Sequence, residues 1–310
     1  MTNLLERLPP SARVAIVRLR SLGDCVLTTP AISLLKQARP DLRVAVVVEP
    51  AFAPLFEGNP DIERIFPPRA SEIFGWRPRL TVNLHGGGTS AWLTLASRAP
   101  LRAGFQHFRF QPLYNIRIPR AQEILGVQST VHTAEHLASA MFFLGVPQCE
   151  IPRARIFATP RPRTRPYAVL HPMASEPGKT WPASNFLAVA ASLEKQLGLE
   201  SVFIAGLGED LTGFTRYATV AGASLDEVKS LIAGASLFIG NDSGPAHMAA
   251  AFGLPVVALF GSSKPEIWRP WRTESVVLTS PRGIDSISVA EVAQAIERLP
   301  VSQPLVFRPQ

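Results

Sequence analysis

A chain of 310 residues with net charge +7, 46% hydrophobic and 18% charged residues has the length for two domains of about 150 residues and the composition of a globular protein. Its longest apolar candidate, Ala246 to Phe260, is broken by Gly253 and Pro255 before reaching the roughly 18 residues a bilayer span needs. The opening MTNLLERLPPSARVAIV lacks the pattern of a secretory leader, so a cytoplasmic location is expected, and Cys25 and Cys149, far apart and outside any CxxC pair, predict reduced thiols rather than disulfides or a zinc site.

In chain order, VAIVRL, VAVVV and LTVNLH read as strands of the first half, and YAVLHP, SVFIAG, SLFIGN, VVALFG and SVVLTS as strands of the second. They are mostly apolar, as strands buried on both faces should be. Helix-period stretches lie between them at Thr29 to Ala38, His132 to Leu144, Pro182 to Leu197, Asp226 to Ala233 and Val289 to Leu299. Alternating β and α elements predict an α/β fold with parallel sheets and helices on both faces. The segment Ile151 to Tyr167, IPRARIFATPRPRTRPY, holds four prolines and five arginines and has linker composition. Two Rossmann-like domains, 1–155 and 156–310, facing across a cleft, are therefore expected, with ligands at the carboxyl ends of the strands.

Charge divides unequally between these halves. Residues 1–155 carry 18 Lys and Arg against 11 Asp and Glu, whereas residues 156–310 carry 13 of each. A basic first half is compatible with an anionic partner there, whether a membrane surface, a phosphorylated glycan or a nucleic acid, and equally with a solubilising coat.

Several familiar chemistries lack their residues. Gly206-Leu-Gly208-Glu-Asp-Leu211 has leucine where a dinucleotide fingerprint needs its third glycine, and no Walker A loop occurs. His132-Thr-Ala-Glu135-His136 fits H-x-x-E-H, but with no evident third ligand it reads as a structural helix face. His85-Gly86-Gly87-Gly88 is like a lipase oxyanion loop, yet no G-x-S-x-G supplies a nucleophile; its glycines are expected to let the chain leave a strand and approach a ligand closely. No D-x-D pair is present to bridge a metal to a diphosphate.

Three polar loops remain. In RSLGDCVLTTP, Asp24 stands at or near a helix start facing the cleft, or is an ordinary N-cap. HPMASEPGKTWP, His171 to Pro182, puts Lys179 between a strand end and a helix start, a position that suits a phosphate, although such a lysine also serves as plain surface. GNDSGPAH, from Gly240 to His247, offers free N–H groups at a helix N-terminus where Gly244 removes side-chain bulk.

IVRLRSLGDCVLTTPAISLLKQARPD, HPMASEPGKTWPASNF and SLDEVKSLIAGASLFIGNDSGPAHMAAAFGLPVVALFGSS together resemble glycosyltransferase family 9, the ADP-heptose:lipopolysaccharide heptosyltransferases. NLHGGGTSAWLTLASRAPLRAGF and HTAEHLASAMFFLGVP fit the family's first domain in order and spacing, and PEIWRPW resembles the members that add a later, branching core heptose. The resemblance implies a GT-B fold with an acceptor-binding first domain, a nucleotide-sugar donor domain second, and a C-terminal tail that packs back on the first. It implies an inverting transfer of heptose from ADP-heptose to the lipopolysaccharide inner core, without metal or other cofactor. Asp24 then matches the general base and Lys179 the lysine that grips the diphosphate and offsets charge on departing ADP. Glu209 matches the ribose-holding acid, the backbone at Ser224 and Leu225 the adenine contact, and Ser175, Asp242, Ser243, Gly244 and His247 the rest of the donor site. Arg18, Arg20, Arg98, Arg102 and Arg109 are the candidates for meeting carboxylates and phosphates of an anionic glycolipid acceptor at the cytoplasmic face of the inner membrane. No nucleic-acid partner is expected.

Two departures stand out. Met173 replaces the family's usual small residue after His-Pro, and Thr180 stands where a basic residue often follows the lysine. They leave the transferase class intact and donor identity open, so another nucleotide sugar is compatible. A non-catalytic sugar-nucleotide or glycolipid binder and a sugar-nucleotide epimerase are the rivals from other classes. Retention of both Asp24 and Lys179 favours the transferase over a pure binder.

Overall fold

The valine- and isoleucine-rich runs become parallel strands. In a computed structural model, which describes residues 3–301 except residue 162, the chain divides into two units, Met1–Phe157 and Ala158–Gln310. The first unit contains β1 (Arg13–Val17), β2 (Arg43–Val47), β3 (Arg64–Phe66), β4 (Leu80–Asn83), β5 (Leu101–Phe105) and β6 (Ile116–Ile118). These pair in the order β3-β2-β1-β4-β5-β6, always parallel, with Ala15 opposite both Ala45 and Thr81. The helices between its strands are α1 (Leu22–Ala38), α2 (Ala70–Trp76) and α3 (Gly88–Ala96), and α4 (Ala121–Leu125) and α5 (Thr133–Leu144) follow its last strand.

The second unit repeats the plan with β7 (Tyr167–His171), β8 (Glu200–Ala205), β9 (Ala218–Ala221), β10 (Leu237–Asn241), β11 (Val256–Phe260) and β12 (Ser275–Thr279). Its order is β12-β11-β10-β7-β8-β9, again all parallel. Counted from its own first strand, that is the order of the first sheet. Helices α6 (Ala183–Ser192), α7 (Leu225–Ala233), α8 (Gly244–Phe252), α9 (Pro265–Trp268) and α10 (Val289–Glu297) complete it. In both units the central strands are buried along nearly their whole length, because helices cover both faces.

Differences from the sequence reading have local causes. Helix α1 starts at Leu22, well before Thr29, because Gly23 and every residue from Cys25 to Leu35 is buried and the stretch shows no amphipathic period. Pro30 inside it has no N–H for the Val26 carbonyl, and the Thr29 hydroxyl donates to that oxygen at 2.8 Å instead. The same hydroxyl accepts the Arg155 N–H at 2.9 Å, tying the segment after α5 to α1. Strands β3, β5, β6 and β9 were not foreseen; β3, β6 and β9 are edge strands, short and partly exposed, and β5 lies next to an edge. The unit boundary falls inside the proline- and arginine-rich segment. Residues 302–310 of the tail expected to pack back on the first domain lie outside the described residues. No described helix is long and apolar enough to cross a membrane. Cys25 is buried, Cys149 exposed, and both are free.

Replacing Thr29 by valine removes a donor and an acceptor from buried partners at constant shape. We expect a loss of about 1–3 kcal/mol, read as a lower urea midpoint at unchanged m-value, with Thr29→Ser recovering most of it.

Candidate active site

In each sheet the strand order reverses between the first and fourth strands, so the loops leaving β1 and β4, and those leaving β7 and β10, diverge and open a crevice at the carboxyl edge. The three polar loops of the sequence all leave those strands.

In the first unit, the Arg18 N–H donates to the Val47 carbonyl at 3.1 Å, so the chain stays tied to β2 as it leaves the sheet. The side chain of Arg18 is buried, and its Nη1 lies 3.4 Å from Asp24 Oδ1. The Ser21 hydroxyl donates to the other Asp24 oxygen at 3.0 Å. Asp24 is thus held at both oxygens in the first turn of α1, partly exposed; the N-cap position belongs to Ser21. A carboxylate there also interacts favourably with the helix dipole. Burial pulls the Arg18 pKa down, opposed by Asp24, and pushes the neighbouring Cys25 up to about 12, which keeps that thiol protonated.

The loop after β4 hangs on Asn83. Its buried side-chain oxygen accepts the N–H groups of His85 and Gly86 at 2.9 and 3.0 Å, and its amide donates to Thr94 Oγ1 at 3.2 Å and Tyr114 Oη at 3.0 Å. Gly86 has φ +84°, and a Cβ there would sit 2.7 Å from the Phe108 ring. The close approach expected of the glycine run is therefore, at Gly86, to an aromatic side chain of the protein itself. Burial, then the Arg18 charge, lowers the His85 pKa.

His132 and His136 serve the fold. His132 caps α5, its Nδ1 accepting the Ala134 N–H at 3.1 Å while Glu135 accepts the His132 N–H at 2.7 Å. His136 stacks on Phe105 at 4.2 Å, and burial takes its pKa to about 4. Among the described residues no group of three or more His, Cys, Asp or Glu is placed to hold a metal ion.

The five candidate arginines separate. Arg18, Arg20 and Arg109 leave β1 and β5 at the carboxyl edge, where Arg20 Nε is 3.9 Å from Glu49 Oε1. Arg98 and Arg102 do not join them: Arg98 precedes β5 and Arg102 lies in its first half, at the amino edge. The Arg102 guanidinium donates to the Ala99 and Leu113 carbonyls at 2.9 and 3.3 Å. Of the five, Arg18, Arg20 and Arg109 thus fall at the carboxyl edge and Arg98 and Arg102 at the amino edge, because helix-to-strand connections in a parallel sheet lie at the opposite edge from strand-to-helix ones.

In the second unit, buried Asn241 closes β10 and clamps both ends of the loop after β7. Its Oδ1 accepts the Trp181 N–H at 3.1 Å and its Nδ2 donates to the Pro172 carbonyl at 2.9 Å. Within that loop Lys179 ends a one-turn helix, Pro177–Lys179, and Ser175 is exposed. A third loop braces the turn: the Ser262 N–H donates to the Gly178 carbonyl at 3.3 Å, and a Cβ on Gly261 would lie 1.9 Å from that oxygen. Burial raises the pKa of Asp242, while the nearby Ser263 hydroxyl and the charge of Lys179 oppose the rise. Ser243 is the N-cap of α8 yet caps no backbone group; its hydroxyl lies 3.0 Å from Nδ1 of His171, whose pKa burial lowers to about 4, so the ring is neutral at physiological pH. Gly244 opens α8, and buried His247 meets Trp268 edge to face at 6.2 Å between ring centres.

Two further candidates lie along the same edge. Glu209, after β8, turns its carboxylate back onto its own loop, accepting the Gly206 N–H at 2.5 Å. Ser224 is the N-cap of α7 in a capping box with Glu227, whose carboxylate occupies the Ser224 N–H at 3.0 Å, and Leu225 is the first residue of that helix. Because the spatial order is β10-β7-β8-β9, Asp242, Ser243 and Gly244, then Lys179, then Glu209, then Ser224 form a row across four strands. Asn241, His171, Gly261 and Ser263 were missed as site-forming residues. A polar residue closing an otherwise apolar buried strand, as in LFIGN and YAVLH, was the available signal.

Two doubly wound parallel units with polar loops at both switch points define a GT-B protein, and the comparisons narrow the class. The sequence profile of glycosyltransferase family 9 (heptosyltransferase) matches residues 80–288. The chain is 28% identical over 305 residues to lipopolysaccharide heptosyltransferase 3 of Escherichia coli, covering 83% of this chain and 86% of that one. Its fold matches that of a glycosyl transferase family 9 protein from Veillonella parvula DSM 2008 with TM-score 0.81 at 23% identity, over 93% of this chain and 97% of that one. It also matches E. coli heptosyltransferase WaaC with ADP, with TM-score 0.75 at 21% identity, over 92% and 99% of the respective chains. The chain belongs to glycosyltransferase family 9 and is a glycosyltransferase.

Gly261→Ala forces a Cβ against the Gly178 carbonyl at the Lys179 turn. Its nucleotide affinity, measured by calorimetry, should fall about ten-fold or more, about 1.4 kcal/mol, with an unchanged far-UV spectrum. Ser262→Ala, which keeps the backbone donor, should bind as the parent does.

Proposed function

We propose that the protein is an inverting, metal-independent heptosyltransferase that moves heptose from ADP-L-glycero-D-manno-heptose to the inner core of lipopolysaccharide at the cytoplasmic face of the inner membrane. The observation that carries this reading is the row of donor-site candidates along one sheet edge, Asp242–Gly244, Lys179, Glu209 and Ser224. It covers three inter-strand spacings, roughly 14 Å, the scale of a nucleoside diphosphate laid across the strands. Relatives named for heptosyl transfer and a structural neighbour solved with ADP support the same donor.

In this reading Lys179, the Ser243 and Gly244 amides and the N-terminal end of α8 complement the diphosphate, so that the positive partner of the leaving group is built into the chain. The sequence has no D-x-D pair for a bridging metal. The neutral ring of His171 orients the Ser243 hydroxyl, and half-buried Asp242, near Lys179, faces the sugar hydroxyls. Asp24 accepts the proton of the acceptor hydroxyl as its oxygen forms a bond to the anomeric carbon. The bond from that carbon to the diphosphate oxygen breaks, and ADP leaves with the electron pair. A single displacement of this kind inverts the anomeric centre. Arg18 steadies the Asp24 carboxylate, and Arg20 and Arg109 receive anionic groups of the glycolipid, whose carboxylates and phosphates suit forked guanidinium donors. Glu209 and the backbone at Ser224 and Leu225 complete the nucleotide contacts, with His247 beside the donor and Ser175 at the loop surface.

Mixing the protein with ADP-heptose should release ADP only when a Kdo-containing acceptor is present, and EDTA should not reduce the rate. Asp24→Ala should lower turnover by about 10²–10⁴ while calorimetric affinity for ADP stays unchanged. Acceptor-independent ADP release, or full activity of Asp24→Ala, would remove the proposed mechanism.

A further inference from the structure

Three large aromatic side chains of the first unit are exposed: Phe74 at 46%, Trp92 at 62% and Phe110 at 36%. They are connected. The Phe110 ring packs on Gly88, where a Cβ would come within 3.2 Å of it, and Gly88 opens α3. Trp92 is four residues further on and shares that face of the helix. Beyond the end of α3, the Arg98 guanidinium lies 5.1 Å over the ring of Phe74, which projects from neighbouring α2. The stripe Phe110–Gly88–Trp92–Arg98–Phe74 therefore runs the length of α3, about 13 Å.

Its chemistry is specific. Helix α3, GTSAWLTLA, contains no charged residue, although Gly88, Thr89 and Trp92 on it are exposed. Charge appears at its two ends and is basic: Arg109, 5.7 Å over the Phe110 ring, at one, and Arg98 with exposed Arg77 at the other. The nearby acid of α2, Glu72, is 3.3 Å from Arg69. An uncharged helix face centred on tryptophan, with arginines whose stems and planes lie on aromatic rings, is the composition of an element lying in the headgroup layer of a bilayer.

We infer that the outer face of α3 docks this protein on an anionic lipid surface, with Trp92 in the interface and Arg98 and Arg109 on lipid phosphates. The inference deepens the glycolipid-acceptor reading and rests on it for its purpose: α3 begins at the loop that carries His85, so docking holds the carboxyl edge of the first sheet at the height of the headgroups.

The test uses the whole protein and vesicles that contain no glycolipid, either phosphatidylcholine alone or phosphatidylcholine mixed with phosphatidylglycerol, in a flotation assay at low and high salt. The protein should float with the anionic vesicles and lose most of that binding with salt, and Trp92 fluorescence should be quenched by bromine-labelled lipid. Trp92→Ser and Phe74→Ser together should weaken partitioning about ten-fold or more, and Arg98→Glu with Arg109→Glu should abolish the preference for anionic vesicles. On a soluble, acyl-free acceptor the Trp92→Ser, Phe74→Ser protein should turn over like the parent, while on acceptor embedded in vesicles it should be slower. Failure of the parent to float, or equal flotation of the aromatic variant, overturns the docking surface whatever the transfer assay reports. Trp92-dependent self-association in sedimentation without vesicle binding also overturns it and gives the face to a second copy of the chain. Inactivity of the parent on the acyl-free acceptor is instead a failure of the functional reading alone.

Discussion

Parallel strands covered on both faces leave no place for charge along their length, and the rest of this structure follows from that exclusion. β1, β2, β4, β7, β10 and β11 are apolar or small almost throughout, so polar chemistry is confined to the chain ends of strands. At the amino edge the backbone arrives from a helix, and Arg102 shows what happens to a cation there: the Ala99 and Leu113 carbonyls take up its donors. At the carboxyl edge the next helix begins, with unpaired N–H groups and a positive dipole end. Asp24, Lys179 and Asp242 all lie at that edge, and the repeated strand order supplies the opening twice.

The two acidic candidates are held differently, which fits the different tasks proposed for them. Asp24 is bound at both oxygens, by a buried guanidinium on one side and a hydroxyl on the other, in a partly exposed position. Asp242 is more deeply placed, and burial works against its charge, opposed only in part by Ser263 and Lys179. Desolvated charge offset by one specific cation is a common mark of a ligand site. In the first unit two buried side-chain atoms, Nε of Arg18 and Nδ1 of His85, make no hydrogen bond.

Much of this was legible in the sequence, for reasons that differ between elements. The central strands announced themselves by composition, and Lys179 and GNDSGPAH by being polar where apolar runs end. Helix α1 was half hidden because burial on all sides erases the 3.6-residue period; within it Thr29 supplies the hydrogen bond that Pro30 cannot. The edge strands β3, β6 and β9 could not be read, since three or four partly exposed residues carry little pattern. The sheet edge on which each candidate arginine falls was not legible, because composition gives their number and not their place in the fold. His85 and its glycines were assigned to an approaching ligand, whereas the partner of Gly86 is Phe108, more than twenty residues away in the chain.

The clamp made by Asn241 has a thermodynamic meaning. Fixing the backbone of a free loop costs about 1–2 kcal/mol per residue, and a loop ordered only by its ligand would subtract that from affinity. Here the segment from Pro172 to Trp181 is secured at both ends by one buried amide and braced at Gly178 by Ser262, so much of its ordering cost is met when the domain folds. In the proposed reading, an anion arriving at Lys179 would meet a loop already ordered, leaving its binding energy for distinguishing the bond being broken from the bond at rest.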